Sequence, residues 1–159
     1  MASVAIEVQE QGLERALRSI ERVTGWDQFE LLDIVGRLIQ LQTRRRIETE
    51  KTAPDGTPWP ENRNQTPTLY ASGALHNSID YRATLSAITV GSPLIYAAIH
   101  HFGGVIKPKK AKALSFMAGG DRVFAKSVTI PARPYLGLSP DNVDEIEGVV
   151  GEFIEGLLQ

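Results

Sequence analysis

The stretch WDQFELLDIVGRLIQLQTRRRIE, residues 26–48, has the pattern of an amphipathic helix with a clear start. Asp27 suits the N-cap position, and Glu30 stands three residues later, which is the spacing of a capping box. Trp26 and Leu31 hold the hydrophobic staple positions on either side of the cap. The residues expected on the core-facing side are Leu31, Leu32, Val35, Leu38 and Ile39. This periodicity predicts a helix from the cap to about residue 48.

Three successive arginines, Arg44, Arg45 and Arg46, stand near the end of this helix. Successive residues on a helix are about 100° apart, so these side chains cannot form one flat phosphate-binding face. We interpret them as an exposed helix end, where cations interact favourably with the C-terminal dipole.

The flanking segments predict a small antiparallel sheet and further helices. Alternating apolar residues predict a half-buried strand at residues 3–9 and a hairpin formed by residues 79–83 and 88–90. Further helices are predicted at residues 13–25, 68–78, 95–102 and 140–157. The fold class is therefore α+β, with a small antiparallel sheet packed against two or three helices, a long protruding hairpin and a C-terminal helix.

Charge separates two segments near the C-terminal end. Residues 105–130 predict a basic loop followed by a long hairpin, with strands at 113–117 and 123–130 and a turn at 118–121. The charged residues of this segment are Lys107, Lys109, Lys110, Lys112, Asp121, Arg122 and Lys126. Residues 139–159 contain six acids and no base. The opposite charges are either two solvated surfaces or a head-to-tail contact between identical subunits.

Two proline-rich segments predict rigid, extended backbone. In IPARPYLGLSP, residues 130–140, the prolines disfavour helix on either side of Arg133, and we expect a strap in which Arg133 holds a carboxylate bidentately. Ser139 is expected to cap the last helix. In the loop 53–62, Trp59 lies between two prolines, and it is either buried against its own subunit or displayed to a neighbour.

The chain has 159 residues, a net charge of −2 and no cysteine. The length suits one domain, and 42% apolar residues argue against disorder. Disulfides and thiolate metal sites are excluded. The N-terminus lacks a signal-peptide pattern, and no apolar run approaches the roughly 20 residues that span a bilayer, so we expect a protein kept in a reducing cytoplasm.

The stretch YAAIHHFGG, residues 96–104, raises the question of a catalytic or metal site. His100 and His101 are adjacent and therefore point in different directions, whereas zinc needs converging ligands. His76 could approach them only through the tertiary structure. The chain lacks a G-x-S-x-G motif, a phosphate loop and a dinucleotide fingerprint. We expect no catalytic residue, no metal and no cofactor; the alternatives are a DNA-binding or DNA-processing protein that uses residues 107–112, and, behind it, a metal-dependent hydrolase.

Four segments carry a resemblance that covers most of the chain after Thr43. They are TRRRIETEKTAPDGTPWPEN (43–62), LYASGALHNSI (69–79), VGSPLIYAAIHHFGG (90–104) and IPARPYLGLS (130–139). In this order, and with a helix directly after the last one, the sequence resembles the phage virion morphogenesis, or tail completion, family of Mu-like phages. It is more distantly similar to the head–tail joining proteins of siphophages.

The resemblance implies a non-enzymatic structural protein at the head-to-tail junction of the virion. Such proteins form homo-oligomeric rings, commonly sixfold, around the DNA channel, next to other neck proteins and the tail tube. The expected location is the neck or tail end of the virion after assembly in the host cytoplasm, without membrane contact. In this family the segment around Tyr96 and Phe102 resembles a packing knot, with both rings in the core and one histidine in polar contact with the strap or a neighbour.

These expectations assign roles to two sets of residues. Structural or packing roles are expected for Trp59, Gly73, Leu75, Tyr96, His100, Phe102, Gly103, Arg133 and Pro134. A place at the oligomer interface or in the lumen is expected for Lys107, Lys109, Lys110, Lys112, Asp144 and Glu147. Gly73 would permit the close approach of another backbone, and Gly103 would end a helix. We expect one domain, residues 1–159, with residues 105–130 as an extended arm.

Overall fold

The structure is a computed structural model that describes residues 4–8, 26–62, 66–118 and 120–157. Strand β1 (Val4–Val8) and strand β2 (Asp80–Ala83) both pair antiparallel with strand β3 (Ile88–Ser92), so that β3 is central. The predicted first strand and first hairpin are therefore confirmed. The helix predicted at residues 13–25 lies outside the described residues.

Helix α1 (Gln28–Arg45) is the long helix predicted at the start of the sequence analysis. The Asp27 carboxylate accepts hydrogen bonds from the backbone N–H groups of Phe29 and Glu30 at 2.9 and 3.3 Å, which confirms the cap. Beyond its last turn the chain continues as a π-helical turn, Arg46–Glu50, that ends at Lys51 in a left-handed conformation. The π-helical turn places Arg46 and the residue after it in the interior together.

Three further helices lie among the described residues: α2 (Ala74–Ser78), α3 (Ala97–Phe102) and α4 (Pro140–Leu157). The helix predicted at residues 68–78 is wrong over residues 68–73, because Leu69 and Gly73 have φ of 57° and 71°, which a right-handed helix cannot contain. Helix α4 begins as predicted, because the Ser139 hydroxyl accepts the backbone N–H of Asn142 at 3.3 Å. Helices α1 and α4 pack antiparallel. Gln42 near the end of α1 donates to the Asn142 carbonyl at 3.1 Å, whereas Trp26 before α1 meets Phe153 late in α4 at 5.8 Å between ring centroids.

The core lies between the inner face of α1, the sheet and the segment 130–138, which we call the strap. Gly36 lets the sheet approach α1, since a Cβ at this position would lie 2.4 Å from the Tyr81 ring. The buried apolar side chains are Leu31, Leu32, Val35, Ile39, Ile47, Ala53, Trp59, Leu75, Ile79, Ile88, Val90, Ala97, Tyr135 and Leu136. The α+β fold class is therefore confirmed.

Residues 104–130 form a ribbon that extends from this core. Strand β4 (Gly104–Ile106) pairs with β7 (Val128–Ile130), and strand β5 (Leu114–Ala118) pairs with β6 (Asp121–Ala125). The predicted second hairpin is confirmed, but its returning strand is interrupted between β6 and β7. None of the described residues from 104 to 132 is buried. We call this ribbon the arm.

Tyr96 and Phe102 are not core residues, and that expectation is wrong. Their exposed fractions are 41% and 67%. The reason is the orientation of α3, which turns Ala97 and His101 inward, four residues apart on one face. Tyr96 precedes the first of these and Phe102 follows the second, so both rings point away from the core.

Gly73 is favoured at its position for a different reason from the one expected. Among the described residues a Cβ there would meet only the Asn77 side chain, at 3.5 Å, and no other backbone. Its φ of 71° instead places it in the left-handed region at the start of α2, where glycine is the favoured residue.

Candidate functional site

Arg46 joins three parts of the fold from the interior. It is 1% exposed, and burial lowers the pKa of its guanidinium. The side chain donates to the carbonyl oxygens of Gly137 at 2.7 Å and Tyr135 at 3.3 Å, and to Asn142 Oδ1 at 2.6 Å. The interpretation of this arginine as an exposed helix end is therefore wrong. Its acceptors lie in the strap and in α4, about ninety residues further along the chain, so local sequence could not reveal them.

The other two arginines have separate partners. Arg44 donates to the Ile79 carbonyl at 2.8 Å, which ties α1 to the beginning of β2. Arg45 is exposed and pairs with Glu50 at 2.9 Å and with Glu145 of α4 at 2.8 Å. A hydrogen bond from Gln42, followed by Arg45, holds the pKa of Glu145 below its ordinary value. The three guanidinium groups do not form one anion-binding face.

The strap and the loop 53–62 bind each other in both directions. The Trp59 indole N–H donates to the Pro134 carbonyl at 3.0 Å. In return, Arg133 donates to the carbonyl oxygens of Pro60 at 2.8 Å and Glu61 at 3.3 Å. The expected bidentate carboxylate is thus wrong: the extended loop turns backbone oxygens toward the guanidinium. Burial of this arginine lowers its pKa.

The histidine that contacts the strap through its side chain is His101. Its Nδ1 accepts the backbone N–H of Tyr135 at 3.2 Å, and the Tyr135 hydroxyl donates to the Ala97 carbonyl at 3.0 Å. Burial lowers the pKa of His101 and raises that of Tyr135 to about 12. His100 contacts the strap through its backbone carbonyl, which accepts a hydrogen bond from the backbone N–H of Arg133 at 2.9 Å. The inward pairing of residues 97 and 101, four apart on α3, is the signal that could have identified His101.

Acidification is expected to destabilise the fold through these histidines. Because His101 accepts through Nδ1, folding favours the neutral ring, and burial, with Arg133 nearby, lowers the pKa of His100 in the same direction. As the pH falls below the ordinary histidine pKa of 6.5, these two histidines take up protons in the unfolded chain before they do so in the folded protein. The free energy of unfolding should therefore fall as the pH decreases through 6.5 toward the lower pKa values of the folded state.

Denaturant titrations between about pH 7 and about pH 5 measure this slope. His101→Asn keeps an acceptor oxygen near Nδ1 but cannot titrate, so it should flatten the pH dependence in part, while His100 still contributes. An unchanged slope in this variant would show that His101 does not couple protonation to folding.

The other candidate side chains meet in a shallow pocket. Leu75, Tyr96 and His100 line a space of about 320 Å³ together with Asn62 and residues of the 69–74 segment. No three histidine or carboxylate side chains converge as metal ligands anywhere in the described part of the chain. His76 lies 3.7 Å from Glu48, away from the histidine pair. Ser72 and His100 both line this pocket, and among the described residues no hydrogen bond joins them.

The arm contains a pronounced bulge. Ile106 pairs with Val128 and Leu114 pairs with Ala125, so residues 107–113 on one strand oppose only residues 126 and 127 on the other. Seven residues cannot continue a ladder against two, and they leave the ribbon as a loop. We call residues 107–113 the basic bulge. It displays the exposed side chains Lys107, Lys109, Lys110 and Lys112, with Lys126 opposite them.

Beyond the bulge, strands β5 and β6 form what we call the arm tip. Phe116 pairs with Val123 on one face of this ribbon, whereas Phe124 and Met117 lie on the other. All three of the large side chains Phe116, Met117 and Phe124 are exposed. A two-stranded ribbon with apolar side chains on both faces is marginal alone and typical of a segment that a partner covers.

The acids of α4 form a separate surface. Asp144 and Glu147 are exposed on this helix, and among the described residues no ion pair joins them to the basic bulge. None of the described helices is long and apolar enough to cross a membrane. The structure thus shows a compact body with an acidic helix and an arm that combines basic and apolar side chains.

Comparison with known proteins identifies the family of this chain. The model of the phage virion morphogenesis family matches residues 8–155. No curated protein and no solved structure matches the chain. Because the family match spans nearly the whole sequence, this chain belongs to the phage virion morphogenesis family and has a structural role in the phage virion.

Proposed function

We propose that this protein is a ring-forming subunit at the head-to-tail junction, where it completes the tail or joins it to the filled head. The observation that carries the proposal is the arm, whose described residues are all unburied and which displays a basic bulge and an apolar tip. The same subunit carries an acidic helix. Two different surfaces on one chain can form a head-to-tail contact between identical subunits. Repetition of this contact closes a ring when the rotation from one subunit to the next divides a full turn.

In this proposal Lys107, Lys109, Lys110 and Lys112 of one subunit face α4 of the next, including Asp144 and Glu147. The ring, sixfold in the tail-side assemblies of the family that the sequence resembles, surrounds the DNA channel next to other neck proteins and the tail tube. The expected location is the virion neck, after assembly in the host cytoplasm. No step of this role requires a catalytic centre or a cofactor.

Charge reversal of the basic bulge tests the proposal. Lys107→Glu, Lys109→Glu, Lys110→Glu and Lys112→Glu together should leave a folded subunit that no longer builds rings, because like charges then face each other. Light scattering after size exclusion measures the assembly, and electron microscopy of the particles counts heads and tails that fail to join. The matched control replaces the same four lysines with arginine, which keeps the charge and should assemble normally.

The competing role of the bulge is contact with DNA in the lumen. Rings of the reversed variant would then form normally, and DNA retention or passage would be impaired instead. DNA affinity of the wild-type protein would in that case fall steeply with salt concentration. Normal assembly and normal infectivity of the reversed variant would contradict both roles. A density map of an intact virion neck would locate the subunit directly.

A further inference from the structure

The outer face of α1 carries large apolar side chains on the side away from the core. Phe29, Ile34 and Leu41 are all exposed there. The side chains of the first three turns of α1 enclose an open, shallow depression. It is lined by Asp27, Phe29, Glu30, Asp33, Ile34 and Arg37. We call it the α1 groove.

The α1 groove is apolar and net acidic. Three carboxylates face one guanidinium, and that guanidinium, Arg37, already lies 3.7 Å from Asp33. Asp33 also accepts the Tyr81 hydroxyl at 3.0 Å, which holds it in place. A partner that fits this surface needs apolar side chains that pack against Phe29 and Ile34. It also needs basic side chains at its edge that pair with the three carboxylates.

The arm tip has this combination. Phe116, Met117 and Phe124 supply exposed apolar surface, and the exposed bases Arg122 and Lys126 lie on the same strand or directly after it. Helix α4 is a poorer acceptor for the tip, since Leu157 is its one large apolar side chain that is exposed among the described residues. We propose that the arm tip of one subunit docks in the α1 groove of the neighbouring copy.

The spacing along the two partners agrees with such docking. Because α1 and α4 are antiparallel, Asp144 lies beside the last turns of α1, about ten residues or roughly 15 Å from the groove. On the arm, the five residues of β5 span about 17 Å between the basic bulge and the turn. One arm laid along a neighbour therefore reaches the acids of α4 with its bulge and the α1 groove with its tip. This inference rests on the proposed ring and identifies the second half of its interface.

Disulfide cross-linking tests the contact, and the chain is suited to it because it has no cysteine of its own. Phe124→Cys combined with Ile34→Cys should give, under mild oxidation, a ladder of covalent multimers on a non-reducing gel. Either single variant alone should give no ladder. An equimolar mixture of the two single variants should stop at the dimer, because a head-to-tail contact then has one linkable junction.

The matched control places the second cysteine at Ile95, which is 73% exposed and follows β3. That end of β3 pairs with Asp80, which contacts Gln40 in the later part of α1, whereas the groove lies at the beginning of α1. Phe124→Cys with Ile95→Cys should not form the ladder. Equal ladders from both pairs would indicate random collision and overturn the docking, as would no ladder from the groove pair in either purified rings or particles.

The outcome separates this inference from the proposed function. If charge reversal of the basic bulge abolishes rings while the groove pair never cross-links in assembled wild-type-like rings, the ring stands and the docking is wrong. If the protein is absent from particles, the proposed function fails, and the cross-linking of purified protein still decides the docking.

Discussion

Replacement of Arg46 by methionine is expected to lower the free energy of unfolding by about 3–5 kcal/mol. The apolar chain fills much of the same space but leaves the carbonyls of Tyr135 and Gly137 without this donor. The amide oxygen of Asn142 loses its shorter hydrogen bond and keeps the one from the Ser139 backbone N–H at 3.2 Å. Each buried acceptor without a partner keeps its desolvation cost. Urea titration monitored by tryptophan fluorescence and circular dichroism measures the loss.

The control is the preceding residue. Arg45→Met removes two ion pairs, but the side chain is 46% exposed, so the expected loss is below about 1 kcal/mol. Equal losses at the two positions would contradict the central role of Arg46. A double-mutant cycle between Arg46→Met and Asn142→Ala should further show coupling of about 1 kcal/mol or more, since the two residues share one hydrogen bond.

Gly103→Ala is expected to destabilise the protein by about 2–6 kcal/mol. The backbone of Gly103, with φ 71° and ψ 178°, lies in a region almost confined to glycine, which costs an alanine about 1–3 kcal/mol. The added Cβ would lie 2.6 Å from the backbone nitrogen of Ala132 and 3.0 Å from the Ile130 carbonyl oxygen. Backbone cannot rotate away as a side chain can, so relief of the overlap adds about 1–3 kcal/mol. In the alanine variant the strap must therefore move away from the end of α3. The melting temperature of the variant should be lower than that of the wild-type protein.

Gly56→Ala separates the two contributions. Gly56 also has a positive φ, 83°, but a Cβ there meets no described residue within 4 Å. Its substitution should show the conformational cost alone, about 1–2 kcal/mol. If both variants lose the same stability, the close approach of α3 and the strap does not constrain position 103.

Local signals in the sequence were sufficient for most of the described elements of the fold. Asp27 and Ser139 cap their helices through hydrogen bonds to N–H groups two or three residues away. The alternation in β2 and β3 and the turn at 118–121 likewise act over a few residues. Such interactions are complete within the segment that contains them, and they can be predicted without knowledge of distant residues.

Burial was predicted less well, and the errors went in both directions. Its position near a helix end placed Arg46 outside, and the family resemblance placed Phe102 inside, whereas the structure has the reverse. A guanidinium becomes an interior residue only when acceptors from distant segments surround it. An aromatic ring stays outside when the helix that carries it turns another face, here His101, toward the core.

The sequence by itself determined most of the described helices and strands, the α+β class, the basic and acidic segments and the family. The tertiary structure alone decided that Arg46 rather than its neighbours binds the strap, that Arg133 holds carbonyls rather than a carboxylate, and that the arm displays its apolar side chains. The physical reason is distance along the chain. Caps, turns and periodicity are interactions between near neighbours, but the partners of a buried charge come from segments about 70 to 100 residues away, which only the fold brings into contact.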